Sequence, residues 1–312
     1  MTMRLGENPS RHPGYVRRTV RRTRKLAKRA HARGLVAWLR LRNLMSTVPV
    51  HGDANVVVSL TSYGTRIDTV ALAIESIARG TIRPRKLILW LDESEIFARL
   101  PVNLVRLQRR GLEIRRCDNL GPHSKYYPYV ETTSEAERLP LATADDDVLY
   151  PQWWLQTLYE GHQAHPDMVN CHWASIIGVN HGKITRYTEW ARCKDASASV
   201  RHFATGVSGV LYPPALLEEL ALRAREFLEH TPRADDIWLH WVALQAGFTI
   251  RQVSPRPRHF PLLPGTQGKT LAADNVEGSG NDLVIAKLYS ARDIERIETA
   301  DKLWPMNRGK TS

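Results

Sequence analysis

Residues 55–61 have the sequence Asn-Val-Val-Val-Ser-Leu-Thr, and this stretch decides the fold prediction for the chain. Three β-branched residues in a row, followed by a leucine, are typical of a strand that is buried on both faces. The residues that follow place Val70, Ile74 and Ile77 on one face of a helix, which Gly80 is expected to end. A buried strand followed by an amphipathic helix is the repeating unit of a parallel sheet.

The same alternation of strand and helix continues along the chain. We predict strands at residues 86–91, 112–117 and 139–144, and helices at 69–79, 102–110, 153–165, 235–246 and 282–302. This pattern predicts an α/β fold, with helices on the faces of the sheet. In such sheets ligands bind beyond the carboxyl ends of the strands, so the residues that follow each strand are the first candidates for a site.

The positive charge of the chain is concentrated near its N-terminus. Residues 1–50 contain 13 Lys and Arg against one acid, Glu7, whereas the totals for the chain are 44 and 32. Residues 51–312 therefore carry 31 basic and 31 acidic side chains and are neutral overall. A neutral body argues against binding of nucleic acid there, because such a surface would be basic.

Residues 15–45 are predicted to form one basic helix, with Trp38, Leu39 and Leu41 near its end. Such a helix can lie in a membrane interface, where each basic residue near an anionic surface adds on the order of 1 kcal/mol. We therefore expect this arm to contact an anionic membrane surface. A solvated basic tail and an RNA-binding arm remain alternatives.

Cysteine and hydropathy patterns indicate the compartment. Cys117, Cys171 and Cys193 are an odd number of cysteines with no C-x-x-C pair, so we expect no disulfide framework. Residues 1–33 lack the apolar core of a signal peptide, and no stretch provides the roughly 20 apolar residues of a membrane span. We expect a cytoplasmic protein that associates peripherally with the inner face of the membrane.

Three successive aspartates, Asp145, Asp146 and Asp147, follow the fourth predicted strand. Their charges repel one another unless a cation joins them, and carboxylate oxygens suit Mg²⁺ or Mn²⁺. The alternative is a charge cluster that stabilises the dipole of the helix beginning near Trp153. No G-x-G-x-x-G or G-x-x-x-x-G-K-[ST] motif occurs, so neither a dinucleotide fingerprint nor a P-loop is predicted.

Six sequence blocks in order resemble bacterial GT-A-fold glycosyltransferases of the family 2-like kind. They are Val57–Tyr63 with Arg66, Pro84–Leu91, Pro122–Pro128, Thr143–Pro151, Gly209–Pro214 and Ala234–Leu239. The resemblance covers about residues 55–285. It implies a GT-A (nucleotide-diphospho-sugar transferase) Rossmann-like mixed sheet with helices on both faces. The predicted domains are an N-terminal basic arm at 1–50, which lies outside the resemblance, a catalytic domain at 51–285, and a C-terminal helix and tail at 286–312.

The resemblance implies a metal-dependent enzyme that moves a sugar from a nucleoside diphosphate donor to a glycan or lipid-linked acceptor. Its setting would be cell-surface polysaccharide synthesis, with inversion at the transferred carbon and Mn²⁺ or Mg²⁺ as cofactor. Asp147 would bind the metal, and Asp145 the ribose or the metal. The other donor-binding residues carried over are Thr61 and Arg66 in the nucleotide pocket, Asp92 on the base, Lys125 on the diphosphate, and Asp146.

The catalytic base is carried over from the block Asp235-Asp236-Ile-Trp-Leu239, which matches an E-D-x-x-L pattern. The second acid of that pattern, here Asp236, would take the acceptor proton. Because Asp235 stands in place of Glu, either aspartate aligns with the base, and both also suit a helix N-terminus. His259 is a candidate third metal ligand, with a surface histidine as its alternative. Residues 265–282 are predicted to form a loop that closes over the donor.

Three other functions fit the same residues. A sugar-phosphate transferase or nucleotidyltransferase would use the same acidic turn and leave a phosphodiester in its product. A retaining transferase would not need Asp236 as a base. A non-catalytic protein of glycan assembly would need neither the metal nor the base.

Overall fold

The structure is a computed structural model of the 312-residue chain, and it describes residues 30, 32–264 and 280–307, with 301–307 by their backbone alone. Two predicted features therefore fall largely outside the described residues. One is the first half of the predicted basic helix, residues 15–29, and the other is the loop predicted to close over a donor, of which residues 265–279 are not described.

The core of the described chain is an eight-stranded mixed sheet. Its strands are β1 (Ala54–Thr61), β2 (Pro84–Leu91), β3 (Glu113–Arg116), β4 (Leu141–Thr143), β5 (Val169–Cys171), β10 (Ala198–Ser199), β12 (Val210–Tyr212) and β13 (Ile250–Gln252). They lie side by side in the order β10-β13-β5-β12-β4-β1-β2-β3. The first four strands are parallel to one another. Strand β12 runs antiparallel between β4 and β5. The predicted α/β fold is confirmed, and its sheet is mixed.

Shorter strands form two small sheets beside the main one. The first contains β6 (Ala174–Ile176), β9 (Ala191–Arg192) and β11 (His202–Ala204), and the second contains β7 (Val179–Asn180) and β8 (Lys183–Ile184). None of these short strands was predicted, because runs of two or three residues are too short for a periodic pattern.

Helices cover both faces of the main sheet, as predicted. They are α1 (32–45), α2 (Ile67–Ala78), α3 (Ser94–Ala98), α4 (Val102–Arg109), α5 (Tyr127–Thr132), α6 (Trp154–Ala164), α7 (Pro214–Leu222), α8 (Phe227–His230), α9 (Asp235–Ala246), α10 (Gly280–Leu288) and α11 (Ala291–Asn307). Strand β1 contributes side chains to the helix layer on each face of the sheet. On one face, Val56 and Val58 pack with helices α2, α4 and α6. On the other face, Val57 packs with helices α5, α7 and α9. Successive residues of a strand point to opposite faces.

The predicted single helix at 282–302 is wrong, since the structure has two helices there, α10 and α11. The break lies at Tyr289 and Ser290. The Asp293 carboxylate accepts hydrogen bonds from the Ser290 amide (2.9 Å) and hydroxyl (2.8 Å), and the Asp293 amide donates to the Ser290 hydroxyl at 3.3 Å. This reciprocal cap starts a new helix at Ala291. The S-x-x-D spacing that produces it is visible in the sequence.

The end of the predicted arm packs against the body of the protein. Helix α1 buries Leu39 against Leu72 and Leu149. Its Asn43 donates a hydrogen bond to the buried carboxylate of Glu75 at 3.2 Å. Among the residues that the structure describes, no helix is both long and apolar enough to cross a bilayer.

Candidate active site

The loop after β1 and the acidic turn after β4 are joined at the carboxyl edge of the sheet. The Ser62 hydroxyl donates to Asp146 Oδ2 at 2.6 Å, and Arg66 Nη1 donates to Asp146 Oδ1 at 2.8 Å. Arg66 Nη2 also lies 3.5 Å from Asp147 Oδ2. Both oxygens of Asp146 are therefore bound by the protein itself. Its role in donor binding stays a prediction, and its visible role is to hold Arg66 in place.

The outer two aspartates of the turn are the ones open to a ligand. The side chains of Asp145 and Asp147 are 23% and 12% exposed, whereas that of Asp146 is 5% exposed. Burial raises the pKa of Asp147 above the ordinary value, and the charges of Asp145 and Asp146 add to this effect, although Arg66 opposes it. A cation bound between the outer carboxylates would relieve this repulsion.

Lys125 connects the acidic turn to the start of α9. Its Nζ lies 3.1 Å from Asp145 Oδ1 and 3.2 Å from Asp235 Oδ2. Burial disfavours the charge on Lys125, but the Asp145, Asp235 and Asp236 carboxylates outweigh burial and raise the lysine pKa well above its ordinary value. Lys125 is therefore a fixed positive charge between Asp145 and Asp235. The sequence did not predict this position between the two carboxylates.

Asp236 is half-buried and its carboxylate is oriented by the backbone. The Gly206 amide donates to its two oxygens at 3.2 and 3.1 Å. Burial and the neighbouring Asp235 raise the pKa of Asp236 to about 7, against the opposing effects of Lys125 and the Gly206 amide. A Cβ at position 206 would lie 2.9 Å from Asp236 Oδ1, so glycine permits this close contact.

The site carries more negative than positive charge. It contains five carboxylates, those of Asp145, Asp146, Asp147, Asp235 and Asp236. Arg66 and Lys125 form ion pairs with them, and each can offset one negative charge. With all five acids ionised, these pairs leave three charges to be offset by a bound cation or by protons. The partly exposed oxygens of the outer aspartates suit a hard divalent ion that keeps some of its waters.

His259, the candidate third metal ligand, is exposed. The segment just after it pairs with the turn, since the Leu263 amide donates to the Asp147 carbonyl at 2.7 Å. Its own ring packs edge-on against Trp173, with a centroid distance of 5.4 Å. Its role as a third metal ligand stays a prediction.

Two of the predicted nucleotide-pocket residues lie at the ends of β1 and β2. Thr61 Oγ1 donates to the carbonyl of Trp90 at 3.2 Å. One carboxylate oxygen of Asp92 is buried without a hydrogen-bond partner among the described residues, and burial raises the pKa of this group. An unpartnered buried acceptor is costly. The role of Asp92 in binding the nucleotide base stays a prediction.

Two aromatic residues follow the acidic turn closely in the sequence. Trp153 is 40% exposed, with the Arg258 guanidinium 5.8 Å from its ring centroid. Its neighbour Trp154 is buried, and adjacent helical residues point in different directions, so one of the pair had to face outward. The second is Tyr150, whose hydroxyl accepts a hydrogen bond from the Asp145 amide at 2.8 Å. The sequence pattern did not predict this contact.

The arrangement combines a cluster of carboxylates at the acidic turn with a further carboxylate, Asp236, whose pKa is raised to about 7. Such a carboxylate can accept a proton at physiological pH, and a nearby cation can stabilise an anionic leaving group. No protein-family model matches the chain, and a comparison with curated proteins finds no match. The chemistry of the site is therefore the main guide to function.

Proposed function

We propose that the chain is a GT-A-fold glycosyltransferase of the family 2-like kind. It would transfer a sugar from a nucleoside diphosphate donor to a glycan or lipid-linked acceptor in cell-surface polysaccharide synthesis. The observation that carries the proposal is that Lys125 pairs with both Asp145 of the acidic turn and Asp235, and so holds the turn beside the neighbouring carboxylate of Asp236. The sheet supports the finer fold assignment, because β3, β2, β1 and β4 are adjacent parallel strands and ligands of such sheets bind beyond their carboxyl ends. The antiparallel strand β12 pairs with β4 on the other side.

Each part of the site has a role in this reaction. Asp145 and Asp147 would hold Mn²⁺ or Mg²⁺, and the bound metal would neutralise part of the negative charge of the leaving diphosphate. Lys125 adds a fixed positive charge beside the turn, and Asp92 accepts a hydrogen bond from the base of the nucleotide. The Gly206 amide orients the Asp236 carboxylate, whose free lone pairs take the proton from the acceptor hydroxyl as that hydroxyl attacks. Attack opposite the leaving group inverts the sugar carbon.

Donor binding tests the proposal directly. We expect one nucleoside diphosphate to raise the melting temperature only when Mn²⁺ or Mg²⁺ is present. Ligand at 100 times its Kd adds about 2.7 kcal/mol to the free energy of unfolding, which corresponds to a rise of several degrees. Asp147→Asn should lose this metal-dependent shift. Asp53→Asn is the matched control, since Asp53 is exposed and precedes β1, at the opposite edge of the sheet from the acidic turn.

A chain that shows no shift with any nucleoside diphosphate at millimolar concentration, with or without metal, would contradict the proposal. Product analysis separates the remaining alternatives. A phosphodiester in the product would indicate a sugar-phosphate transferase or nucleotidyltransferase, and a retained anomer would remove the need for Asp236 as base. Nucleotide binding without turnover on any acceptor would favour a protein of glycan assembly.

We also propose that α1 contacts an anionic membrane surface. One face of this helix leaves four apolar side chains largely exposed: Trp38 (45%), Leu41 (56%), Leu44 (56%) and Met45 (71%). The opposite face is fixed to the body by Leu39 and Asn43. The 13 basic residues of 1–50 complement anionic headgroups.

Vesicle binding tests this contact. The wild-type chain is expected to sediment with vesicles that contain phosphatidylglycerol and to bind pure phosphatidylcholine at least tenfold more weakly. Leu41→Glu with Met45→Glu should weaken binding at least tenfold, because burying each apolar side chain contributes about 1.5–3 kcal/mol. Leu222→Glu, at an 80% exposed position of α7, should bind like the wild type. Vesicle binding by the double variant that equals that of the wild type would contradict the membrane contact. RNA binding that weakens with salt and disappears when residues 1–50 are deleted would favour the RNA alternative.

A further inference from the structure

A second group of potential metal ligands lies away from the acidic turn. Cys193, Asp195 and His202 each offer a ligand atom, and the three atoms lie within 4.8 Å of one another. It is the one such group of three or more found among residues 30, 32–264 and 280–307. Cys193 and His202 are buried, and Asp195 is partly exposed. We propose that these three residues bind one Zn²⁺ ion, in a site that the glycosyltransferase proposal does not require.

The spacing of the ligand atoms suits zinc. In tetrahedral coordination, zinc bonds of 2.0–2.3 Å place the ligand atoms roughly 3.3–3.8 Å apart. Cys193 Sγ and His202 Nε2 are 3.7 Å apart, which already lies within that range. The Asp195 carboxylate lies within 4.8 Å of both atoms, so a shift of about 1.5 Å at most brings it to the same spacing. Its partial exposure leaves room for water as a fourth ligand.

The chemistry of the ligands also favours zinc over the metals expected at the acidic turn. Thiolate and imidazole bind zinc and similar transition metals, whereas Mg²⁺ and Mn²⁺ prefer sites made of oxygen ligands. The two sites would therefore select different ions. The odd cysteine pattern in the sequence did not indicate this group, because its ligands follow no known spacing motif.

Surrounding groups orient the ligands, as they do in natural zinc sites. His202 Nδ1 lies 3.1 Å from the Ile250 carbonyl, so the ring presents Nε2 to Cys193. The Asp195 carboxylate accepts hydrogen bonds from the amide and hydroxyl of Ser197. Gln252 is fully buried, and its Nε2 lies 3.4–3.5 Å from the carbonyls of Cys193 and Asp195.

A zinc ion at this site would stabilise strand β11, which is followed by Gly206, the residue whose amide orients the proposed base Asp236. His202 begins β11, and Gly206, whose amide contacts Asp236, comes just after that strand ends. Strand β13 also contacts the group through Ile250. A bound ion would therefore join the loop at 193–197 to β11 and β13.

Metal content and cobalt spectroscopy test the site in the full chain. We expect one zinc per chain after purification, and a higher melting temperature for the zinc-bound protein than for the chelator-treated protein. Cobalt in place of zinc should give a thiolate-to-cobalt charge-transfer band and the strong visible bands of tetrahedral cobalt. Cys193→Ser should lose the charge-transfer band and bind zinc at least 100-fold more weakly, and Asp195→Asn at least tenfold more weakly.

Two controls keep the test specific. Cys117→Ser removes a cysteine outside the group, and Asp147→Asn alters the acidic turn, so both should retain zinc and the cobalt spectrum. Circular dichroism verifies that the Cys193→Ser and Asp195→Asn variants are folded. Failure of chelator-treated wild type to bind zinc at micromolar concentration would overturn the proposal, as would an unchanged cobalt spectrum in Cys193→Ser. The three side chains would then form a hydrogen-bonded group without metal.

Discussion

Replacing Asp236 with asparagine is expected to lower turnover by about 10²–10⁴-fold, which is the usual contribution of a general base. Asparagine retains the shape of the side chain and an oxygen to accept from the Gly206 amide, but it cannot take a proton. Steady-state kinetics with the donor identified by thermal shift would measure the loss. Asp53→Asn, at the opposite edge of the sheet, serves as the control and should keep wild-type turnover.

The pH dependence makes this prediction specific. Burial and Asp235 raise the pKa of Asp236 to about 7, so kcat/KM should rise as pH increases through about 7. Asp235→Asn removes the neighbouring charge and should shift this profile to lower pH. If instead Asp235→Asn abolishes turnover and Asp236→Asn retains it, then Asp235 is the base.

Stability should change in the opposite sense to activity. A carboxyl whose pKa is raised by folding favours the folded state when protonated, so the wild type loses stability as pH rises from about 4 through about 7. Asp236→Asn has no charge to bury and avoids this loss. Its melting temperature should therefore exceed that of the wild type at pH 8, with a smaller difference at pH 5. Equal melting temperatures at both values would contradict the raised pKa.

Replacing Glu75 with alanine is expected to lower the free energy of unfolding by about 3–5 kcal/mol. Glu75 is fully buried in α2, and its carboxylate forms ion pairs with Arg110 and, at 3.1 Å, with Arg42. Asn43 Nδ2 donates to the same carboxylate at 3.2 Å. Alanine would leave the buried Arg110 guanidinium without its counter-charge, and would also remove two anchors of α1.

Urea denaturation measures this loss, and the chain offers a matched control. Glu226→Ala breaks an exposed pair with Arg223, whose atoms are 3.8 Å apart, and should cost about 0.5 kcal/mol or less. A loss below about 1 kcal/mol in Glu75→Ala would mean that the network contributes little to stability. The apolar residues of α2 predicted this helix from the sequence. The burial of Glu75 was not predicted, because a glutamate on a helix is usually exposed.

Local pattern predicted the first four strands of the main sheet and helices α2 and α4, but not the short helices α3 and α5. The predicted strand at 55–61 and the helix at 69–79 correspond to β1 and α2, within two residues at each end. The predicted order of strands also placed Thr61, Asp92 and Asp145 at strand ends, which lie along one edge of the sheet. The short strands between 174 and 204 were missed, because their pairing depends on distant partners such as β6 with β11.

By itself, the sequence determined the order of the first strands and helices, the positions of the polar residues after them, and the concentration of positive charge in 1–50. These features follow from periodicity and composition, which are local properties of the chain. Only the tertiary structure decided that Lys125 bridges Asp145 and Asp235, that Gly206 orients Asp236, and that Cys193 lies against His202. Each of these contacts joins segments that meet only through sheet order and helix packing. The raised pKa of Asp236 is also a tertiary property, because burial and neighbouring charges produce it.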